Sequence, residues 1–476
     1  MTVLWTLSDM AAAMRAEQSG VLPACITGIS IDSRTIGKGE AFFALTDVRD
    51  GHDFVANALA AGAGLAVVAR AQRARFAADA PLLIVEDVLE ALRELGRAAR
   101  ARSQAKIVAV TGSVGKTSTK EALKLALSAD GETHASAASY NNHWGVPLSL
   151  ARCPQSAKYA VFEIGMNHAG EITPLTRMVR PHVAIVTTIA PVHLEFFGTL
   201  KKIAEAKAEI FLGLEPGGAA VINRDIRQFA QLAAAAEAAG VSRIVSFGAH
   251  GRADARLKRC ALQADGSAVE ADILGQAVTY KLGAPGRHLV LNSLGVLAAA
   301  ALIGADLALA ALALAKLEPA AGRGTRIALA VPGGEALLID ESYNANPASM
   351  RAAIELLGQA PVGPRGRRIA VLGDMLELGT QGRELHRGLA AAIEAAGIDL
   401  VYCSGPLMHA LWEALPSARK GGYAETAEAL QPSVLEAIRV GDAVMVKGSL
   451  GSRMGPIVKA LQRRFPTQGA LAAMKG

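Results

Sequence analysis

Short apolar runs, each closed by glycine or polar residues, recur along this chain and alternate with longer alanine-rich stretches of helical period. Ile107–Val110, Tyr159–Ile164, Val183–Ile189, Ala219–Ile222 and Arg243–Phe247 contain few polar residues. A strand that is apolar on both faces is buried on both, so these runs predict a parallel sheet covered by helices. Asp254–Lys281 reads as hairpins at the edge of that sheet. A second series follows at Ala336–Asp340, Arg368–Leu372, Leu400–Cys403 and Ala443–Val446. Between the two series, Lys316–Arg326 contains Pro319, Gly322 and Gly324 and reads as a linker. Upstream lie shorter elements: strands at Ile29–Ser33 and Ala41–Leu45, a helix over Phe54–Ala61, and a charged connecting helix over Glu86–Ala105.

The expected fold is α/β in three domains. A small α/β N-terminal domain covers residues 1–85, followed by the connecting helix 86–105. A central parallel-sheet domain covers 106–315, and a Rossmann-like C-terminal domain covers 316–476. Each strand of the last series ends in polar residues or glycine: Asp340-Glu341-Ser342-Tyr343, Gly373-Asp374, Ser404-Gly405 and Lys447-Gly448-Ser449. Ligands of doubly wound sheets bind beyond the carboxyl ends of the strands, so a second binding surface is expected there.

Composition narrows the class. A length of 476 residues suits roughly three domains. Hydrophobic residues make up 51% and charged residues 19%, enough to bury large cores. The net charge of +6 is spread thinly, without the basic block of a nucleic-acid arm. Cys25, Cys153, Cys260 and Cys403 are far apart and lack metal or redox spacing. The N-terminus has no basic segment followed by an apolar core, and Val296–Leu317 is broken by Gly304 and Asp306, which favours buried helices over a membrane span. A cytoplasmic protein with reduced thiols is expected.

The chemistry begins at Thr111-Gly-Ser-Val-Gly-Lys-Thr-Ser118, which follows the run Ile107–Val110 and opens a helix over Thr119–Leu127. Gly112 and Gly115 permit a tight turn whose N–H groups, with those of Ser113, Val114 and Ser118, face an anion. Lys116 reaches the outer phosphates of ATP and Thr117 ligates Mg²⁺ in such loops. The glycine usual six residues before the lysine is replaced by Val110, so this is a variant phosphate loop. Glu163 closes the strand Tyr159–Ile164, where a carboxylate suits a second Mg²⁺ ligand. His193 stands in the corresponding place after Val183–Ile189, where a lone histidine is usually structural. Lys207 falls on the apolar stripe of a helix predicted over Leu200–Leu214, with Ile203, Ile210 and Phe211. It either snorkels or is desolvated enough to react with CO₂ and form a carbamate, a metal-bridging carboxylate analogue.

Taken together these stretches resemble the Mur ligase family of ATP-dependent amide-forming enzymes. The resemblance rests on Ser30–Arg34 and Asp50–Phe54, then Thr111–Glu121, Asn141–Pro147, Glu163–Asn167, His193–Glu195, Lys207, Gly286–His288 and Asn292. It continues through Gly322-Arg323, Asp340–Pro347, Leu372–Gly379 and Val446–Ser449, in order over nearly the whole chain. It implies Lys116, Glu163, His193 and Lys207 as the catalytic set. Thr117 and Glu163 are implied at one Mg²⁺, with His193 and carbamylated Lys207 at another. Asn292 is implied at adenine, Arg323 at the phosphates, and Asp340, Glu341 and Tyr343 at ribose and phosphate. Ser33 and Arg34 are implied at a uridine diphosphate acceptor, and Asn141, Asn142, Asn344, Asn346, Asp374, Glu377 and Lys447 at the substrates.

Tyr343-Asn-Ala-Asn346 and Gly373-Asp-Met375 favour the branch that joins D-alanyl-D-alanine to UDP-N-acetylmuramoyl-tripeptide through an acyl phosphate. Two positions depart from the family pattern: Glu341 replaces aspartate, and Leu450-Gly451 replaces Arg-Ser. The resemblance implies a monomer with small-molecule substrates, without nucleic acid or membrane insertion. A folylpolyglutamate-type ligase, a P-loop switch and a non-catalytic scaffold are the competing readings. The first block, which resembles a nucleotide-sugar domain, argues against the first of these.

Overall fold

The computed structural model describes residues 2–263 and 265–466; the last ten positions of the expected C-terminal domain lie outside the described residues. Three larger sheets and one two-stranded sheet organise the described residues. In the first block, Ile29–Ser30, Ala41–Phe43, Leu65–Ala69 and Leu82–Val85 pair in parallel, and Glu17–Ser19 closes the edge antiparallel. The chain then enters the helix Val88–Arg102, which turns Val88, Ala91, Leu92, Leu95 and Ala99 inward. This helix docks on the central block. Arg100 donates to Val179 O and Arg180 O at 2.8 and 2.9 Å and pairs with Glu215. Gly96 is also so close to Pro147 that a Cβ would stand 3.1 Å from its carbonyl oxygen.

The central sheet has nine strands. Lys106–Thr111 lies between Tyr159–Glu163 and Val183–Val186, all parallel. Thr133–Ala135 flanks one side, and Ala219–Asn223 and Arg243–Gly248 extend the other. The hairpins read near residues 254–281 are the antiparallel strands Ala255–Gln263, Gly266–Ile273 and Gln276–Leu282. Apolar clusters bury both faces of the sheet, as all-apolar strands require. The alanine-rich stretch forms the helices Arg287–Leu302 and Leu307–Ala313 on one face. Among the described residues, no helix is long and apolar enough to cross a membrane.

The third sheet runs Thr325–Val331, Gly334–Glu341, Ala443–Lys447, Arg368–Gly373, Leu400–Ser404, Lys420–Ala424. All pairs are parallel except the first. Its outer strands carry little pattern: Lys420–Ala424 contains Gly421 and Gly422, and Thr325–Val331 is half exposed. Strand order reverses around Lys106–Thr111 in the central sheet and around Ala443–Lys447 in the third, and a crevice for ligands opens at such points. One local reading needs correction: the helix around Lys207 spans Leu200–Ala208 and then tightens to a 3-10 turn over Glu209–Gly213. Glu209 is drawn out of helical register to accept from the Gly170 and Thr173 N–H groups at 2.6 and 3.0 Å.

Candidate active site

The phosphate loop joins Lys106–Thr111 to the helix Lys116–Ser128, which begins three residues earlier than its apolar pattern suggests. Gly112 and Gly115 have φ of 150° and 87°. A Cβ on Gly112 would stand 1.9 Å from Thr187 Oγ1, and one on Gly115 would stand 2.6 Å from Asn292 Nδ2. Both glycines are therefore required by conformation and by close approach. The loop is braced from the neighbouring strand end: Thr187 Oγ1 donates to Val114 O at 2.6 Å, and Ser113 donates to Thr188 O and Ala190 O. Ser118 Oγ donates back to Gly115 O. No side chain caps the helix, so its first N–H groups and its dipole are free for an anion.

Thr117 Oγ1 donates to Glu163 Oε2 at 3.0 Å, and Asn141 Nδ2 donates to Glu163 Oε1 at 2.6 Å. Glu163 is only 1% exposed. A hydroxyl beside a buried carboxylate is an oxygen donor set suited to a small hard cation such as Mg²⁺. Lys116 Nζ folds back onto Gly112 O at 2.9 Å. Burial lowers its pKa most, Glu163 opposes this, and Arg323 of the third block lowers it further. Arg323 reaches this neighbourhood while its guanidinium lies over the Tyr343 ring, 4.4 Å from the centroid.

Lys207 is 1% exposed, buried in the helix Leu200–Ala208 beside Ile203. Burial, with a smaller contribution from Lys116, holds its pKa well below the usual lysine range. The neutral amine is the form of a lysine that reacts with CO₂. His193 adopts φ of 54°, and its Nδ1 contacts Glu377 Oε2 at 2.5 Å. This contact joins the central and third blocks, and the Glu195 N–H adds a bond to Glu377 O. Glu377 is thereby drawn below the usual carboxylate range. No group of three or more His, Cys, Asp or Glu side chains forms a ready-made metal cluster among the described residues.

Several expected substrate residues have internal partners. Asp374 is buried, its carboxylate accepts the Leu407 and Met408 N–H groups, and burial raises its pKa. A Cβ on Gly405 would stand 2.4 Å from that carboxylate. Asn346 caps the helix Pro347–Gly358 by accepting from Ser349 N. Lys447, 2% exposed, donates to Glu341 Oε2 and Asn344 O, both at 3.0 Å. These contacts show that the polar groups of Asp374, Asn346 and Lys447 also hold strand ends together. They also engage Glu341, while Asp340 accepts from the Ser342 N–H and hydroxyl. Asn142 accepts from Gly145 N, and Asn344 accepts from Ala345 N. Sequence reasoning passed over Ser139, 3.3 Å from Thr117 Oγ1, and Thr187, which have no signal in spacing.

Two cavities frame this centre. One of about 460 Å³ is lined by Ser33, Arg34, Arg49 and Phe54 of the first block and by Tyr140, His143 and Trp144 of the central block. Asp32 binds the Arg34 guanidinium, and its pKa is lowered to about 2 mainly by that bond. The second, of about 230 Å³, lies between Gly286–His288 with Leu291 and the helix Pro347–Gly358 of the third block.

A phosphate loop with a buried hydroxyl–carboxylate pair, faced by a cation from a third α/β block, defines a class of nucleotide-dependent ligase, and this chain belongs to the Mur ligase family. Models of the Mur ligase family catalytic domain, the Mur ligase middle domain and the Mur ligase glutamate ligase domain match residues 25–100, 110–300 and 322–450. The UDP-N-acetylmuramoyl-tripeptide–D-alanyl-D-alanine ligase of Rickettsia prowazekii is 32% identical over 97% of this chain and 100% of that relative. Its counterpart in Escherichia coli is 36% identical over 96% of this chain and 98% of that relative. Among solved structures, MurF of Acinetobacter baumannii superposes with a TM-score of 0.81 at 30% identity, covering 96% of this chain and 99% of that one. MurF of Thermotoga maritima in complex with ADP superposes with a TM-score of 0.74 at 26% identity, covering 92% and 97%.

Proposed function

We propose that this protein is an ATP-dependent ligase that joins D-alanyl-D-alanine to UDP-N-acetylmuramoyl-tripeptide, releasing ADP and phosphate and supplying peptidoglycan synthesis. The observation that carries this reading is the phosphate loop with its Thr117–Glu163 pair, in a chain matching such ligases from end to end. Joining a carboxylate to an amine in water is uphill. Transfer of the γ-phosphoryl group to the tripeptide carboxylate gives an acyl phosphate and ADP. The dipeptide amine then attacks the acyl carbon, the amide forms, and phosphate leaves.

Lys116 and the free N–H groups of its helix hold the phosphates in line and offset their charge. Thr117 and Glu163 would hold one Mg²⁺, and His193 with carbamylated Lys207 a second; when bound, these ions neutralise charge between two anionic reactants. Asn292 and the Gly286–Leu291 cleft serve the base, and Arg323 with Tyr343 closes over the nucleotide from the third domain. Asp340, whose Glu341 neighbour is engaged by Lys447, serves the ribose. Ser33 and Arg34 serve the uridine diphosphate in the larger cavity.

The proposed domains are residues 1–85 for the acceptor, 106–315 for ATP and 316–476 for closure and the dipeptide. Closure shields the acyl phosphate from water. The enzyme acts as a monomer in the cytoplasm.

The test is phosphate release with all three substrates and with each omitted. ADP, phosphate and the pentapeptide product are expected together, and only when D-alanyl-D-alanine is present. Equal activity with free diaminopimelate, lysine or glutamate overturns the dipeptide assignment. Activity with a folate acceptor overturns the reading of the first domain as well.

A further inference from the structure

Lys120 has no part in the steps above, yet its burial is complete. It lies in the helix that succeeds the phosphate loop and is among the largest fully buried side chains. Its Nζ donates to Ser136 O at 2.8 Å and to Ala138 O at 2.5 Å, and it pairs with Glu121 at 2.8 Å. A buried ammonium is costly unless its donors are met, and here oxygens converge on it. The segment it grips is under local strain: Ala138, which carries a Cβ, has φ of 46°.

The residues just beyond Ala138 reach both the phosphate site and the larger cavity. Ser139 Oγ lies 3.3 Å from Thr117 Oγ1, and Asn141 braces Glu163. Tyr140, His143 and Trp144, from the same stretch, form a wall of the large cavity opposite Ser33 and Arg34. One short run of chain thus walls the cavity and orients the carboxylate of the phosphate site. Lys120 is the side chain that ties the start of that run to the phosphate-loop helix.

We propose that Lys120 is a positioning residue that sets the alignment of the acceptor cavity with the Thr117–Glu163 pair. The cavity half of this inference rests on assigning that cavity to the acceptor's uridine diphosphate. Two carbonyls on one ammonium fix both position and orientation of the segment, which an apolar side chain of equal length cannot do. Without the grip, Ala138 relaxes from its strained conformation, and Tyr140 and Asn141 move with it.

Lys120→Met tests this in the full-length enzyme, with UDP and ADP as binding probes. Misplacement near the reacting groups is expected to lower kcat on the order of 10²-fold. Calorimetric UDP affinity is expected to fall about tenfold. ADP affinity, set by Gly112–Ser118, stays that of the unchanged enzyme. A merely structural lysine instead lowers ADP affinity and melting temperature in parallel, without a selective effect on UDP. That outcome, or a folded variant with unchanged kcat and UDP affinity, overturns the proposal.

If Lys120→Met does not fold, Ala138→Val attacks the same contact from the exposed side. A β-branched residue at positive φ forces the segment out of reach of Lys120. The same selective loss is expected, and full activity refutes the inference. Failure of the unaltered enzyme to bind UDP refutes the cavity assignment alone. The kcat loss at unchanged ADP affinity then decides the role of Lys120.

Discussion

Replacing Glu163 by glutamine removes one charge from the site and almost no volume. The carboxylate is buried, with Thr117 donating to one oxygen at 3.0 Å and Asn141 to the other at 2.6 Å. Glutamine can turn its oxygen to Asn141 and its amide to Thr117, whose hydroxyl changes from donor to acceptor. Each contact then weakens by about 1 kcal/mol as it becomes neutral. Relief of the desolvation cost of a buried carboxylate offsets a comparable amount. The melting temperature therefore moves by only a few degrees.

Activity responds differently, because in the proposed mechanism the lost charge belongs to the group that would hold Mg²⁺ beside the phosphates. A fall of roughly 10²–10³ in kcat is expected, about 3–4 kcal/mol of transition-state stabilisation. Glu163 also supports the charged form of Lys116 against burial and Arg323. Without it the Lys116 pKa drops further, and the charged form, present below that pKa, is lost at lower pH. The alkaline limb of the kcat/KM profile should therefore shift to lower pH in the variant. Coupled phosphate release across pH, with melting curves on the same samples, measures all three effects. A folded variant keeping more than about a tenth of normal kcat, or an unshifted alkaline limb, refutes the reasoning.

Lys116→Ala should abolish amide synthesis while leaving the melting curve cooperative; near-normal turnover would remove the phosphate loop from the mechanism. Lys207→Met should be inactive yet more stable by about 1–3 kcal/mol near neutral pH in CO₂-free buffer, since it removes an ammonium whose charged form burial disfavours. The folded-state pKa of Lys207 is depressed, so the unfolded chain binds more protons. The stability gap is then widest below the folded pKa and narrows as pH rises towards the ordinary lysine range; a destabilised or active methionine variant contradicts this. Lys207→Arg should be inactive and Lys207→Ala partly restored by short-chain carboxylic acids, whereas a fully active arginine variant shows a lysine that needs no carbamate. Glu377→Ala breaks a partly exposed contact to His193 worth about 1 kcal/mol, and should lower the closed population about fivefold. Small-angle scattering with ADP should show a larger radius of gyration, and an unchanged radius refutes a latch at this contact.

The strands legible in the sequence are those whose side chains are apolar on both faces. Tyr159–Glu163 and Val183–Val186 were readable because burial on both sides leaves no room for polar alternation. The phosphate loop was readable for a related reason: its glycines, lysine and threonine are dictated by backbone turn and anion geometry within a few residues. Glu163 and Lys207 stood out as charges on apolar elements, and both are buried. Edge strands such as Lys420–Ala424 escaped because a half-exposed strand rich in glycine imposes little pattern.

Residue chemistry along the chain therefore determined the class of fold, the phosphate site and the family of reaction. It could not determine which polar side chains remain available to a ligand. Asp374, Asn346 and Lys447 read as substrate groups in sequence, and in the fold backbone N–H groups and a neighbouring carboxylate also engage them. Glu377 meets His193 although 184 positions separate them, and Lys120 meets carbonyls beyond its own helix. The first pairing arises only when two blocks close on one another and the second only when the central block folds, because a hydrogen bond depends on distances that local periodicity does not encode.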